Sequence, residues 1–128
     1  SAFGYGSLRF NTTNNNSAFG YKALNANTIG TNNTAVGVNC MYYNTTGSSN
    51  TAVGRSALQN NTIGSSNSAF GFYALVNNTT GTHNTAVGRS ALQENTAGIK
   101  NTAFGSYSFK VNSPSQLFTS STYLFFKE

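Results

Sequence analysis

The sequence has almost no carboxylates. It lacks Asp altogether, and Glu94 and Glu128 are its two acidic residues against seven Lys and Arg. Charged residues make up 7% of the chain, where a soluble domain typically has about 25%. Mechanisms that use paired acids, and calcium-binding nonapeptide repeats, both need carboxylates that converge. The composition therefore disfavours paired-acid catalysis, and the absence of Asp excludes the calcium-binding repeat.

Other residues that supply chemistry occur only once. Cys40 is the only Cys, so no intrachain disulfide is possible, and it occupies a position otherwise held mostly by Ala, which predicts a buried and inert thiol. His83 is the only His, and we expect an exposed turn residue at that variable position. Metal sites need clusters of His, Cys or carboxylate. The sequence predicts no enzyme, no cofactor and no metal.

Long hydrophobic runs and local clusters of basic residues are also missing. No apolar run approaches the ~20 residues of a membrane-spanning helix, so no membrane span is expected. The basic residues give a net charge of +5 but are scattered along the chain. A nucleic-acid surface needs them clustered on one face with aromatic residues between them. We therefore expect no nucleic-acid partner.

Most of the chain consists of one repeated sequence motif. In register, its turns follow the pattern [ST]-A-[FV]-G-x-x-[small]-[large apolar]-x-x-N-T-x-G-x-x-N, with a period of 16 residues once and 17 thereafter. The repeats cover residues 1–112, and residues 113–128 form a separate C-terminal cap or docking segment that includes Pro114. Two series of Gly mark the period: Gly4, Gly20, Gly37, Gly54, Gly71, Gly88 and Gly105, and then Gly30, Gly47, Gly64, Gly81 and Gly98.

A period this short fits two short strands and two turns better than a pair of helices. One predicted strand is centred on Ala-Val/Phe and the other on Ala-Leu, and both Gly series are expected to supply positive φ at turns. Turns would stack at about 4.8 Å, giving a rod roughly 30 Å long. The predicted fold is all-β, a parallel β-solenoid or β-roll of about seven turns.

Each predicted strand has small residues on one face and large apolar residues on the other, because neighbouring residues alternate. A thin coil would enclose the Ala rows and turn the large rows outward against sister chains, which favours a homotrimeric rod. The competing geometry is a wider monomeric coil with the large residues inside. The candidate oligomer interface comprises Phe19, Val36, Val53, Phe70, Val87, Phe104, Leu24, Met41, Leu58, Leu75 and Leu92.

Asn forms two further rows in the repeat. Stacked Asn side chains form amide ladders, and Asn also suits turns. Several of these residues fit the N-x-[ST] pattern for glycan attachment, but such matches arise readily in this composition, and the structural interpretation is preferred. A row of Thr beginning at Thr12 and Thr28 would suit an ice-binding solenoid only if a second Thr row ran beside it, and the positions two residues away hold none.

Two features are candidates for binding other molecules. The position after the first Gly varies, and Tyr21, Arg55 and Arg89 there are candidate receptor contacts, or else simply cover the rod. The C-terminal segment is unusually apolar and is either a cap on the last turn or a docking strand. Its apolar residues are Leu117, Phe118, Tyr123, Leu124, Phe125 and Phe126.

The unit N-T-A-V-G-x-x-A-L-x-x-N-T-x-G, found at Asn50–Gly64 and Asn84–Gly98, resembles the repeat of phage and giant-virus tail-fibre-type proteins and of related bacterial surface proteins. More distantly, it is similar to the N-S-V-A-I-G head repeat of trimeric autotransporter adhesins. The resemblance covers about residues 1–112. The adhesin family implies a left-handed parallel β-roll assembled as a trimer.

Taken with the repeat, the resemblance implies a structural fibre segment of a virion, a phage tail fibre or a surface adhesin. Its role would be rigid extension and attachment to a host or surface, with repeated weak sites acting together. The expected location is extracellular, on a virion surface, tail fibre or cell surface. Expected partners are further copies of the chain, a neighbouring fibre or virion protein, and a cell-surface glycan or protein. The alternatives are a self-assembling extracellular filament subunit and the ice-binding solenoid.

Overall fold

The computed structural model of the chain describes residues 1–109. It is a parallel β-solenoid, as the repeat predicts, with one short strand in each turn. The predicted docking segment, Leu117, Phe118, Tyr123, Leu124, Phe125 and Phe126, lies outside the described residues. The strands are β1 (Ala2–Phe3), β2 (Ser17–Phe19), β3 (Thr34–Val36), β4 (Thr51–Val53), β5 (Ser68–Phe70), β6 (Thr85–Val87) and β7 (Thr102–Phe104).

The seven strands form one parallel sheet in chain order, and each residue lies beside its equivalent in the next turn. Ala35 pairs with Ala52, for example, and Val36 with Val53. Hydrogen bonds between turns continue outside the strands, as where Leu58 N donates to Ala74 O at 3.0 Å. Each turn is therefore joined to its neighbours around most of its contour.

Gly is required in the two series for different structural reasons. Gly54, in the first series, has a φ of 137°, and an added Cβ would lie 2.5 Å from Gly71 O, so positive φ and close packing both require Gly. Gly64, in the second series, does not have positive φ, and the expectation that it would is wrong. Gly is needed there because a Cβ would collide with the buried Asn61 side chain.

The second predicted strand is absent from residues 1–109. The segment around Ala57 is a succession of turns, because Ser56 and Leu58 on either side of it have φ values of 58° and 50°. Left-handed residues at alternate positions destroy the pleat that sends neighbouring side chains to opposite faces. Ala57 and Leu58 are consequently both fully buried. We call this segment, from the first Gly of each turn to the Asn seven residues after it (Gly54 to Asn61 in the fourth turn), the arc.

The prediction that the large residues of the arc face outward toward sister chains is wrong. These side chains have no solvent exposure within their own chain and form its apolar core, together with Ala of the strand and Ala or Cys40 of the arc. The competing geometry is thus correct in placing this row inside the coil, although the Ala rows that it placed on the surface are buried as well. The residues concerned are Leu24, Met41, Leu58, Leu75 and Leu92.

The rest of the interior is polar and is built from two Asn ladders, as the structural interpretation of these rows predicts. In one ladder, Asn61 Nδ2 donates to Asn44 Oδ1 at 2.7 Å and to Gly64 O at 2.9 Å. In the other, Asn67 N donates to Asn50 Oδ1 at 3.0 Å. Among residues 1–109, no buried side-chain N or O atom lacks a hydrogen-bond partner. The ladders therefore fill the interior and leave no buried polar side chain of these residues without a hydrogen bond. An unsatisfied buried group would be destabilising.

Candidate functional site

The outward side of the strands, which we call the strand side, carries a continuous apolar row. Phe19 is 45% exposed, Val36 is 37% and Phe70 is 40%, and each lies beside its equivalents in the neighbouring turns. This outward orientation is as predicted for the Phe/Val row, in which Val53 is also exposed and Val87 and Phe104 are half-buried.

Beside this row, the strand side has a second one that the sequence interpretation missed. It consists of the Ser or Thr that begins each strand from β2 onward, such as Thr34 and Thr51, and these side chains are half-buried. The test for a second Thr row covered only the positions two residues before and after the row that begins at Thr12 and Thr28. In strands, residues two apart share a face, so Thr51 lies beside Val53. The mixture of Phe and Val in this row makes the strand side uneven, unlike a flat ice-binding face.

The Thr row considered for ice binding uses its hydroxyl groups in hydrogen bonds between turns. Thr28 Oγ1 donates to Thr45 O at 3.0 Å, and Thr45 Oγ1 donates in the same way to Thr62 O at 3.0 Å. Each hydroxyl proton thereby bridges one turn to the next. This row stabilises the stack and does not offer a free array of donors to ice.

The outward surface of the arcs is rich in aromatic side chains, and we call it the aromatic–cationic face. Tyr5 and Tyr21 stack with their ring centroids 5.7 Å apart, and Tyr42 and Tyr43 meet edge to face at 4.5 Å. Phe72 and Tyr73 form a further pair at 4.1 Å. Every Tyr of the described part of the chain lies in an arc: Tyr5, Tyr21, Tyr42, Tyr43, Tyr73 and Tyr107.

Most of the basic residues in the described part of the chain lie on the same face. Arg9, Lys22, Arg55 and Arg89 lie in arcs, and Lys100 is the one Lys or Arg of residues 1–109 that lies elsewhere. These cations contact rings: the Arg55 and Arg89 guanidinium carbons lie 5.7 and 5.6 Å from the centroid of Phe72. Cation–π contacts of this kind hold cations along a ring surface. The premise that the basic residues do not cluster is therefore wrong for the folded chain, because positions a multiple of the repeat apart stack together.

A shallow hollow of about 190 Å³ opens in this face, across the second to fourth turns. Tyr21, Tyr42 and Tyr43 supply its rings, and Lys22 supplies its charge. Lys22 Nζ lies 5.1 Å from the Tyr21 centroid, and hydrogen bonding with Tyr21 raises the pKa of Lys22 above its ordinary value of 10.5. The side chain is therefore cationic at neutral pH. Asn39 and Gln59 complete the lining with neutral amides.

The predicted receptor contacts all belong to this face. Tyr21 lines the hollow, and Arg55 and Arg89 lie on either side of Phe72, two and four turns beyond Tyr21. The sequence interpretation missed Tyr42, Tyr43 and Gln59, because it considered only the position after the first Gly. The signal available was the pair of variable positions after each Leu or Met, which hold Tyr42 and Tyr43 in the third turn.

Groups that supply catalysis do not converge in the part of the chain that the structure describes. Cys40 is buried, and burial raises the pKa of its thiol to about 12. His83 is exposed in a turn, as expected. Glu94 accepts a hydrogen bond from Asn77 Nδ2 at 3.0 Å. Residues 1–109 contain no group of three His, Cys, Asp or Glu able to hold a metal ion.

Within residues 1–109 there is also no helix that is long and apolar enough to cross a membrane. Comparison with known proteins gives no match to a protein-family model, a curated protein or a solved structure. Functional proposals for the chain therefore rest on its own repeat, surfaces and contacts.

Proposed function

We propose that the chain is a structural segment of an extracellular fibre, of a virion or phage tail or of a surface adhesin, that provides rigid extension and presents an attachment surface. The continuity of the stack carries this proposal. Strand pairs, Asn ladders and Thr bridges all run in the same direction, from each turn to the next. In such a solenoid each repeat contacts only its neighbours, which suits a spacer that is built by adding turns.

The strand side is the surface through which copies of the chain would associate. Its Phe/Val row has no cover from within residues 1–109, and Phe19, Val36 and Phe70 are at least one-third exposed. Continuous exposed apolar rows are typical of interfaces. Because the Leu row belongs to the core of a single chain, we propose that each chain folds by itself and that three chains then join through their strand sides.

The two surfaces allow one chain to assemble and attach at the same time. The strand side ends at the first Gly of each turn, and the aromatic–cationic face begins directly after it, as at Phe19, Gly20 and Tyr21. A trimer joined through the strand sides would leave the aromatic–cationic faces on its outside. Three parallel copies of a weak site would then act together, which raises the apparent affinity without new contacts.

Electron microscopy tests the proposed role directly. Antibodies against residues 1–109, with gold labels, would be applied to native particles and cells of the source of this sequence. We expect labels on thin projections from the surface. Labels confined to the interior of the particle or cell would overturn the proposal, and pre-incubation of the antibodies with the purified chain provides the control for specificity.

A further inference from the structure

We infer that the aromatic–cationic face binds an acidic polysaccharide, with carboxylates of the glycan on the cations and sugar rings on the exposed tyrosines. This inference rests on the proposed attachment role and names the ligand class of that surface. The arrangement of charge, rings and amides along the stack supports it.

The cations of this face repeat along the rod. Arg9 lies in the first turn, and Lys22, Arg55 and Arg89 lie in the second, fourth and sixth turns, so each of these last three is two turns from the next. That corresponds to roughly 10 Å at the usual spacing between strands. Glu94 is the one carboxylate of residues 1–109. A series of cations along the stack, with a single carboxylate among residues 1–109, is complementary to a linear polymer that carries anions.

Open aromatic rings lie between and beside these cations. Tyr21 is 46% exposed and Tyr43 is 49%, and both border the hollow. A sugar ring has an apolar face of C–H groups, and a Tyr ring offers it an apolar surface together with a hydroxyl that forms hydrogen bonds. The Tyr5 ring and Lys22 already contact Tyr21, so the hollow combines the Tyr43 ring, as a platform for one sugar ring, with the positive charge of Lys22.

A single-stranded nucleic acid is the competing ligand for this face. Asn39 and Gln59 line the hollow, and amides both donate to and accept from sugar hydroxyls. Single-stranded nucleic acid needs free ring faces on which bases stack. Phe72 does not offer one freely, because the guanidinium groups of Arg55 and Arg89 lie near its ring. Phe72 with its two guanidinium groups therefore favours carboxylates over stacked bases, and a nucleic-acid probe tests the open rings of the hollow.

Binding is tested by calorimetry with the full chain and three acidic probes: an oligogalacturonate, an oligoalginate and an α2,8-linked oligosialate. Methyl esterification gives a neutral counterpart of each, with the same linkage. We expect at least one acid to bind about tenfold or more tightly than its ester, in line with charge-assisted hydrogen bonds, and the difference to shrink at high salt. A short single-stranded oligothymidylate is the competing probe.

Paired substitutions locate the site. Lys22→Gln with Arg55→Gln should weaken binding of the preferred acid by at least about tenfold. Tyr43→Ala should weaken the acid and its ester alike, because it removes a ring and no charge. Lys100→Gln, which removes a charge elsewhere, should leave binding unchanged.

Three outcomes would overturn the inference: no acid is preferred to its ester, oligothymidylate binds more tightly than every acid, or Lys100→Gln is as damaging as the substitutions in the face. Assembly size is measured by light scattering on the same samples. If the parent chain prefers no acid to its ester but has the assembly size that the fibre role predicts, the glycan inference fails and the proposed structural role is unaffected.

Discussion

Asn44 Nδ2 donates to Asn27 Oδ1 in the preceding turn at 2.7 Å, and both side chains are fully buried. The bond recurs one turn on, where Asn61 Nδ2 donates to Asn44 Oδ1 at 2.7 Å. Each amide therefore donates and accepts within one buried column. Because every group is used, the loss of one amide leaves a neighbour without its partner.

Asn61→Ala should destabilise the fold strongly. It removes the donor to Asn44 Oδ1 and the acceptor for Asn78 Nδ2 inside the column. A buried group left unsatisfied costs about 1–3 kcal/mol, so we expect the free energy of unfolding in urea to fall by about 2–3 kcal/mol. The adjacent Asn60→Ala is the control, since Asn60 is only half-buried and donates to Asn77 Oδ1. Equal losses in the two variants would show that the column is not a stabilising element.

Leu58→Val should be more damaging than the loss of one methylene group suggests. Leu58 is fully buried with a φ of 50°, a conformation that is worst for β-branched residues. We expect a loss of about 2–3 kcal/mol from the smaller side chain and the backbone strain together. Leu58→Met should lose less than about 1.5 kcal/mol, because Met keeps the volume and Met41 holds the same position one turn earlier. If Val is tolerated as well as Met, the arc does not depend on left-handed residues.

Cys40 should make stability depend on pH in the alkaline range. Burial raises the pKa of its thiol from 9.0 to about 12, so the unfolded chain loses this proton at lower pH than the folded chain. The thiol's contribution to stability is complete below pH 9 and is lost as the pH rises toward 12. Relative to Cys40→Ala, the parent should lose about 1.4 kcal/mol of unfolding free energy per pH unit in this window. Parallel pH profiles for the two proteins would mean that the thiol is not held in a dry interior.

Charge on the strand side should dissociate the assembly without unfolding the chain. Val53→Asp combined with Val87→Asp would place unpaired carboxylates in the proposed seam, at a cost on the order of several kcal/mol per site. Because the Leu core belongs to one chain, circular dichroism should still show a folded protein. Ile63→Asp with Ile99→Asp adds the same charge at exposed apolar positions in another part of the turn and should keep the parent size.

The repeat, the positive φ of the first Gly series and the buried small rows could be predicted from the sequence because each depends on a residue type at a fixed period. The orientation of the Leu row could not be, because alternation was assumed for a segment that is not a strand. A signal was present: neither the large arc position, as at Leu58, nor the position two before it, as at Ser56, ever holds Val, Ile or Thr. In a chain so rich in Thr, that absence fits left-handed backbone.

The aromatic–cationic face could be predicted only in part. The variable position after the first Gly identified Tyr21, Arg55 and Arg89, because it forms a column with an obvious register. Charge clustering was judged along the chain, where Arg55 and Arg89 are far apart. In the folded coil they lie on either side of one ring, so clustering in a solenoid has to be judged by column.

Light scattering of the unmodified chain tests the central claim, that this solenoid is a fibre segment assembled through its strand sides. Measured after size-exclusion chromatography, the mass should be three times the 13.5 kDa of one chain. This mass should stay constant on dilution over the range of protein concentrations in which the double variant Val53→Asp, Val87→Asp is monomeric. A well-folded parent of 13.5 kDa at all concentrations would contradict the assembly and leave the solenoid a monomer with an exposed apolar row.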